Sequence, residues 1–184
     1  MNKAVISILG PDRPGIIATV TRVLFEKDCN IENVSQTIIQ SEFSGIFIVS
    51  MPADETIHSL HQGLDEELRP LSLHVYVKQL DTAEPPFSIS KCEQFIITTR
   101  GPDAKGLVAR ITEIIARYGV NVTNLQAIFK GGTDPDSNIM IYEVDIPCDI
   151  DQQSLVDDLR DKAAELSLSI SIQHRNIFKA INRI

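Results

Sequence analysis

Two stretches of the chain repeat one another: VISILGPDRPGIIATVTRVLFEKDCNIENVSQTI at residues 5–38 and IITTRGPDAKGLVARITEIIARYGVNVTNLQAIF at residues 96–129. They align without a gap, because Gly10 falls on Gly101 and every later residue keeps that offset of 91. The identical pairs are Ile6/Ile97, Gly10/Gly101, Pro11/Pro102, Asp12/Asp103, Gly15/Gly106, Ala18/Ala109, Thr21/Thr112, Asn30/Asn121 and Asn33/Asn124. The matches concentrate in a loop of glycine and proline, where backbone geometry is restricted, and they indicate an internal duplication.

Each copy has the apolar spacing of a strand, a helix, two strands, a second helix and a last strand. In the first copy we predict strands at residues 4–9, 31–40, 46–51 and 73–77, a turn at 42–45, one helix with Ile16, Val20, Val23 and Leu24 inward, and another with Ile57, Leu60, Leu64 and Leu68 inward. In the second copy we predict strands at 95–99, 120–129, 139–146 and 168–172, and helices with Leu107, Ile111, Ile114 and Ile115, then Leu155, Leu159, Ala163 and Leu166, inward.

This order predicts an α+β fold of two tandem ferredoxin-like βαββαβ domains, each an antiparallel four-stranded sheet with both helices on one face. The first domain is expected at residues 1–80 and the second at 93–184. Residues 81–92 contain two prolines and no clear periodicity, and they are interpreted as a linker. Because edge strands expose unpaired backbone groups, we expect a homo-oligomer or internal pairing of the two domains.

Composition excludes several classes of protein. The net charge of −8 and the pI near 4.9 disfavour direct nucleic-acid binding, which depends on cationic side chains. Three cysteines, none in a CxxC pair, indicate neither a disulfide framework nor a thiolate metal site, and favour the cytoplasm. The first apolar stretch ends at Gly10 and is too short to span a bilayer, so we expect no export signal and no membrane contact.

The loops GPDRPG at residues 10–15 and GPDAKG at residues 101–106 each join a strand to a helix. Glycine permits positive φ and a close approach to the main chain, and we expect Asp12 and Asp103 to cap the helices that follow. A helix amino terminus attracts a carboxylate, so an amino acid is the ligand class that suits such a loop. The alternative is a tight capped turn that binds nothing.

The GPDRPGI loop, the helix after it, the N-I-E-N segment at residues 30–33 and the βαββαβ order together resemble the ACT domain. The tandem arrangement over nearly the whole chain is similar to the glycine cleavage system transcriptional repressor family. ACT domains typically bind amino acids between paired domains, through this loop and the segment after the first helix. The resemblance therefore implies as ligand-binding residues Asp12, Arg13, Pro14, Gly15, Ile16, Asn30 and Ile31 in the first copy, and Asp103, Gly106, Asn121 and Val122 in the second. The second loop has Ala104 and Lys105 in place of Arg13 and Pro14.

The resemblance implies a regulatory protein, not an enzyme, that binds a small amino acid such as glycine and modulates a transcription factor through protein contact. We expect no cofactor, no metal and no catalytic residues; His58 and His61 are interpreted as part of a solvated helix face. Two alternatives stay open. One is an acylphosphatase-like hydrolase that uses Arg13 and an asparagine after the helix, and the other is a free-standing amino-acid sensor acting on a metabolic enzyme.

Overall fold

A computed structural model describes residues 2–80, 92–129 and 138–176 of the protein. The chain divides into two compact units, residues 1–83 and 84–184. The expected linker lies outside the described residues except for Cys92, which begins a strand.

The first unit consists of β1 (Asn2–Pro11), α1 (Ile16–Glu26), β2 (Asn30–Ile39), β3 (Glu42–Met51), α2 (Ile57–Leu68), a short 3₁₀ helix (Arg69–Leu71) and β4 (His74–Gln79). The second consists of β5 (Cys92–Gly101), α3 (Leu107–Arg117), β6 (Asn121–Phe129), β7 (Asn138–Pro147), α4 (Gln152–Glu165) and β8 (Ser169–His174). Their sheets have the orders β2-β3-β1-β4 and β6-β7-β5-β8, with all pairs antiparallel. The predicted pair of ferredoxin-like domains is thus confirmed.

The core of each unit lies between its sheet and its two helices. Alternate residues of β1, Ala4, Ile6 and Ile8, are fully buried, because successive side chains of a strand point to opposite faces. The apolar stripe predicted for α1 is the buried one, with Ile16 and Val20 among its members. In the second unit α3 and α4 supply the equivalent stripes to a separate core. Each unit therefore buries a hydrophobic core of its own.

The β2–β3 hairpin is tighter than expected. The predicted turn at residues 42–45 is wrong, because Glu42 already pairs with Ile39 and β3 continues through Gly45. The turn is two residues, and Gln40 there has φ 57°. The sequence Glu-Phe-Ser-Gly has turn-forming residue types, but Gly45 serves inside the strand, where the Phe43 ring covers it.

Candidate functional site

The loop between β1 and α1 depends on two glycines for different reasons. Gly10 has φ 154°, and a Cβ atom there would lie 2.6 Å from the carbonyl oxygen of Ser72. The backbone at Ser72, which follows the 3₁₀ helix, thus packs directly against the end of β1. Gly15 has φ 96° and nothing within 4 Å of the place where a Cβ would stand. Its role is conformational, and the space beside it is open.

The helix that follows this loop has no side-chain cap. The expectation that Asp12 and Asp103 cap α1 and α3 is wrong, because the N-cap residues are Gly15 and Gly106 and neither helix has a side-chain cap hydrogen bond. The backbone N–H of Asp12 instead donates to the carbonyl oxygen of Ser41 at 2.7 Å. The carboxyl group therefore stays available on an exposed loop.

The helices α2 and α4, in the described part of the chain, are capped in the usual way. Thr56 accepts a hydrogen bond from the backbone N–H of Ser59 at 3.1 Å, at the start of α2. Asp151 accepts from the first-turn amides of α4. The helices that follow the two GPD loops thus differ from these, and their first amides are left for another acceptor.

A cavity of about 230 Å³ opens beside the first loop. Its lining residues are Asp12, Arg13, Gly15, Ile16, Ile17, Ala18, Gln36, Ile38 and Phe43. The lining combines the charged side chains of Asp12 and Arg13 and the amide of Gln36 with aliphatic and aromatic carbon. The site can therefore hold a small molecule with an anionic group at the α1 amides and hydrocarbon against Ile38 and Phe43.

Besides Ile17 and Ala18, which follow Ile16 in α1, sequence reasoning missed three lining residues, Gln36, Ile38 and Phe43. They come from the β2–β3 hairpin, which reaches the loop because Phe43 pairs with Gly10 across the sheet. Phe43 was predicted to lie in a turn, and the cross-strand register that brings it beside the loop is not a local property.

The residues after the helix do not join the loop within one unit. Asn30 and Ile31 begin β2 at the far end of α1, an 11-residue helix and so about 16 Å long. Asn30 lines a separate cavity of about 550 Å³, together with Asn2, Asp28, Ser50, Met51, Pro52 and Ala53. Ile31 packs against the core. A small ligand cannot touch both ends of one α1, and Arg13 does not meet Asn30 as the acylphosphatase alternative requires.

The second unit repeats this arrangement. Gly101 is crowded, since a Cβ there would lie 2.8 Å from the carbonyl oxygen of Ser167, and Gly106 has φ 86° with open space around it. Asp103 is exposed in the loop. Asn121 and Val122 lie at the other end of α3, where Val122 packs against the core of the second unit.

Among the described residues no group of three or more His, Cys, Asp and Glu side chains is arranged to hold a metal ion. A ring nitrogen of His61 lies 3.3 Å from the carbonyl oxygen of Val75, a contact within the first unit. Within the same described ranges, no helix combines the length and the apolar character needed to cross a membrane.

Comparison with known proteins agrees with this architecture. The ACT domain profile matches the chain twice, at residues 2–78 and 93–173. A UPF0237 protein of Pyrobaculum aerophilum is 42% identical over 82 residues, which are 44% of this chain and 91% of that protein. The glycine cleavage system transcriptional repressor of Escherichia coli is 29% identical over 122 residues, 66% of this chain and 62% of the repressor.

The fold is shared with a solved structure of similar length. The crystal structure of an unknown protein from Galdieria sulphuraria has a TM-score of 0.77 at 20% identity, and the match covers 94% of this chain and 98% of that one. At that identity the likeness concerns the fold alone. Because the two profile matches span both compact units, the chain belongs to the ACT domain family and carries two tandem copies of the domain.

Proposed function

We propose that this protein is a non-catalytic regulator that binds a small amino acid at its first loop and modulates a transcription factor by protein contact. The observation that carries the proposal is the uncapped amino terminus of α1 beside a cavity of about 230 Å³. Free helix amides and the partial positive charge of the helix favour a carboxylate at this place. The exposed Asp12 carboxyl can accept from the ligand's ammonium group.

The pocket walls favour a ligand of limited size. Ile16, Ile38 and Phe43 offer only hydrocarbon to a side chain, and the cavity volume suits a small amino acid such as glycine. Arg13 adds a cation for the carboxylate to the partial positive charge of the α1 amides, and Pro14 restricts the loop that carries Arg13.

Pairing of units would explain how the residues after α1 contribute to ligand binding. Asn30 and Ile31 are too far from their own loop to share its ligand, so we propose that they complete a site whose loop comes from another unit or another chain. Free edge strands support such pairing: β2 lies at the edge of its sheet, and Val34 and Ile38 on its helix-facing side are each 50% exposed. Asp103, Gly106, Asn121 and Val122 are proposed to play the same parts in the second unit.

The proposed partner is a protein and not DNA. A net charge of −8 opposes binding to a polyanion, and the E. coli relative carries the name of a transcriptional repressor. We place this regulation in the cytoplasm, without cofactor or metal. Ligand binding would change how the units pair and hence the surface that they present to the transcription factor.

Calorimetric titration of the whole chain with a panel of amino acids tests the ligand. We expect saturable binding of at least one, with glycine the first candidate, and at least about tenfold weaker binding in Gly15→Val, which distorts the α1 amides. Gly106→Val introduces the same backbone strain in the second loop and should weaken only the site proposed there, so it shows whether the loss in Gly15→Val belongs to the first loop. No heat with any amino acid would contradict the proposal.

Affinity capture from the native cytoplasm tests the partner. Recovery of a transcription factor whose yield changes with the bound amino acid supports the proposal. Recovery of a metabolic enzyme alone, with the same ligand dependence, would favour the free-standing sensor instead.

A further inference from the structure

The two units differ in the side chains that lie beneath their loops. Cross-strand register makes the comparison direct, since Gly10 pairs with Phe43 and the corresponding Gly101 pairs with Asn138. Three corresponding helix-facing positions differ in polarity between the units. They are Ile8, Phe43 and Phe47 in the first unit, and Thr99, Asn138 and Tyr142 in the second. These three positions are therefore apolar in the first unit and polar in the second.

Side-chain volume explains part of this difference between the two units. The Phe43 ring fills the space over Gly45, and the corresponding pair in the second unit is Asn138 with Met140. A larger residue at one position offsets a smaller one at the other, so the core stays filled. Volume does not explain the carboxamide, since an aliphatic residue of similar size would fill the same space without polar atoms.

The side-chain amide of Asn138 forms no hydrogen bond with the described residues. Its side chain is buried, with the residue 1% exposed, and neither Oδ1 nor Nδ2 has a hydrogen-bond partner. A buried amide without partners is unfavourable, because water has been removed and nothing replaces it. Such a group in a folded protein calls for a partner that the described residues do not supply.

Two further polar side chains, those of Thr99 and Tyr142, are buried on the same helix-facing side of this sheet. Thr99 is fully buried, and its hydroxyl forms no hydrogen bond of normal geometry, although its proximity to Tyr142 opposes part of the rise in the pKa of that phenol. Burial raises the pKa of Tyr142 to about 12, so the phenol stays protonated. It donates to the sulfur of Met140 at 3.3 Å.

The second unit also contains a helix that begins without a side-chain cap. α3 has 11 residues, and its N-cap Gly106 offers no side-chain hydrogen bond to the amides of the first turn. Phe43, the counterpart of Asn138, lines the first cavity together with Asp12 and Gly15. Asn138 holds the corresponding position in the second unit.

We propose that the second unit has a ligand site of different specificity, in which Asn138 hydrogen-bonds the polar side-chain group of an amino acid whose carboxylate lies at the α3 amides. The ligand class is a hydroxyl or carboxamide amino acid, because a carboxamide both donates and accepts. Lys105, in the exposed loop, adds a cation near the carboxylate. This inference rests on the proposed amino-acid recognition and extends it by giving the two units separate ligands.

Titration of the whole chain with L-serine, L-asparagine and L-glutamine, and with glycine and L-valine for contrast, tests the assignment. We expect at least one of the three polar amino acids to bind, and Asn138→Leu to weaken it at least about tenfold. Glycine binding should be unchanged in that variant. Phe43→Leu, the same position in the first unit, is the matched control and should leave the polar ligand unaffected.

Thermal unfolding without ligand gives an independent result. Asn138→Leu should raise the Tm by about 2–4 °C, because it removes an unpaired buried amide. A fall in Tm would show that the amide already has an internal partner, and would overturn the inference. If Asn138→Leu does not fold, Asn138→Ala, which also removes the carboxamide, should still weaken the polar ligand; unchanged affinity would overturn the inference.

The two proposals fail in different ways. Binding of glycine alone, lost in Gly15→Val and untouched by Asn138→Leu, would overturn the second site and leave the first. No binding of any of the three polar amino acids would overturn the second site, and no heat with any amino acid of the full panel would overturn both.

Discussion

The ring of Phe43 lies over Gly45 on the helix-facing side of β3, so that a Cβ atom at Gly45 would stand 2.8 Å from Cζ of the ring. Both residues are buried, and the next helix-facing residue, Phe47, would be 3.3 Å from the same Cβ. Glycine inside a strand is normally unfavourable, and here an aromatic ring uses the space that it leaves. This contact also places Phe43 on the wall of the first cavity.

Gly45→Ala should therefore lower the free energy of unfolding by about 1–2 kcal/mol, because the new methyl group displaces a packed ring. In a Phe43→Leu background the same change should cost close to nothing, since the obstructing ring is gone. Chemical denaturation of the two single variants and the double variant measures the coupling. Additive losses would contradict the contact.

The two glycines of the first loop should respond differently to alanine. Gly10→Ala brings a Cβ against the Ser72 carbonyl, which belongs to the backbone and cannot move aside easily, and we expect a loss of about 3 kcal/mol or more. In Gly15→Ala the new Cβ atom contacts nothing, and only the backbone strain at a φ of 96° remains. We expect it to lower the free energy of unfolding by about 1–2 kcal/mol. Denaturant unfolding measures both, and equal losses would contradict the crowding at Gly10.

The start of α4 should give stability that depends on pH. The Ser154 hydroxyl and the backbone amides of Ser154 and Gln153 donate to the carboxyl group of Asp151 and lower its pKa below 3.8. Because the folded-state pKa is depressed, the stabilisation is complete above the unfolded-state pKa and is lost as pH falls through the folded-state value. Asp151→Asn, which removes the charge, should lower the Tm at pH 7, and the difference from wild type should shrink below about pH 4.

Thr56 provides a neutral comparison for this experiment. Thr56→Ala removes the cap of α2 and should cost about 1 kcal/mol. Since no proton is exchanged, that loss should be the same at pH 7 and below about pH 4. A pH-independent effect of Asp151→Asn would show that its charge does not contribute.

Pairing through β2 should be visible in the molar mass. Val34 is 50% exposed on an edge strand, and Val34→Arg places a charge where a second copy would have to pack. We expect light scattering to show a lower molar mass for this variant than for the wild-type oligomer. Tyr76→Arg, on the opposite edge strand β4, should leave the mass unchanged. The reverse result would assign pairing to β4.

The element order and most of the core follow from local pattern. The stripe of Ile16, Val20, Val23 and Leu24 was predicted from its spacing alone and is the buried face of α1, because a helix brings residues three and four apart to one side. The duplication likewise required only the comparison of one stretch with the other. Errors arose where residue type misled, as at the turn before Gly45 and at the helix starts, where the glycine and not the aspartate is the N-cap.

The candidate sites depend on relationships across the sheet. Periodicity and the repeated GPD loop were enough to predict two tandem ferredoxin-like domains and to place a loop at the start of each first helix. Register between strands far apart in sequence places Phe43 beneath one loop and the unpaired Asn138 beneath the other, and the length of α1 separates Asn30 from Asp12. A local pattern specifies which face of an element is buried, whereas the neighbour that it meets is set by backbone pairing through space.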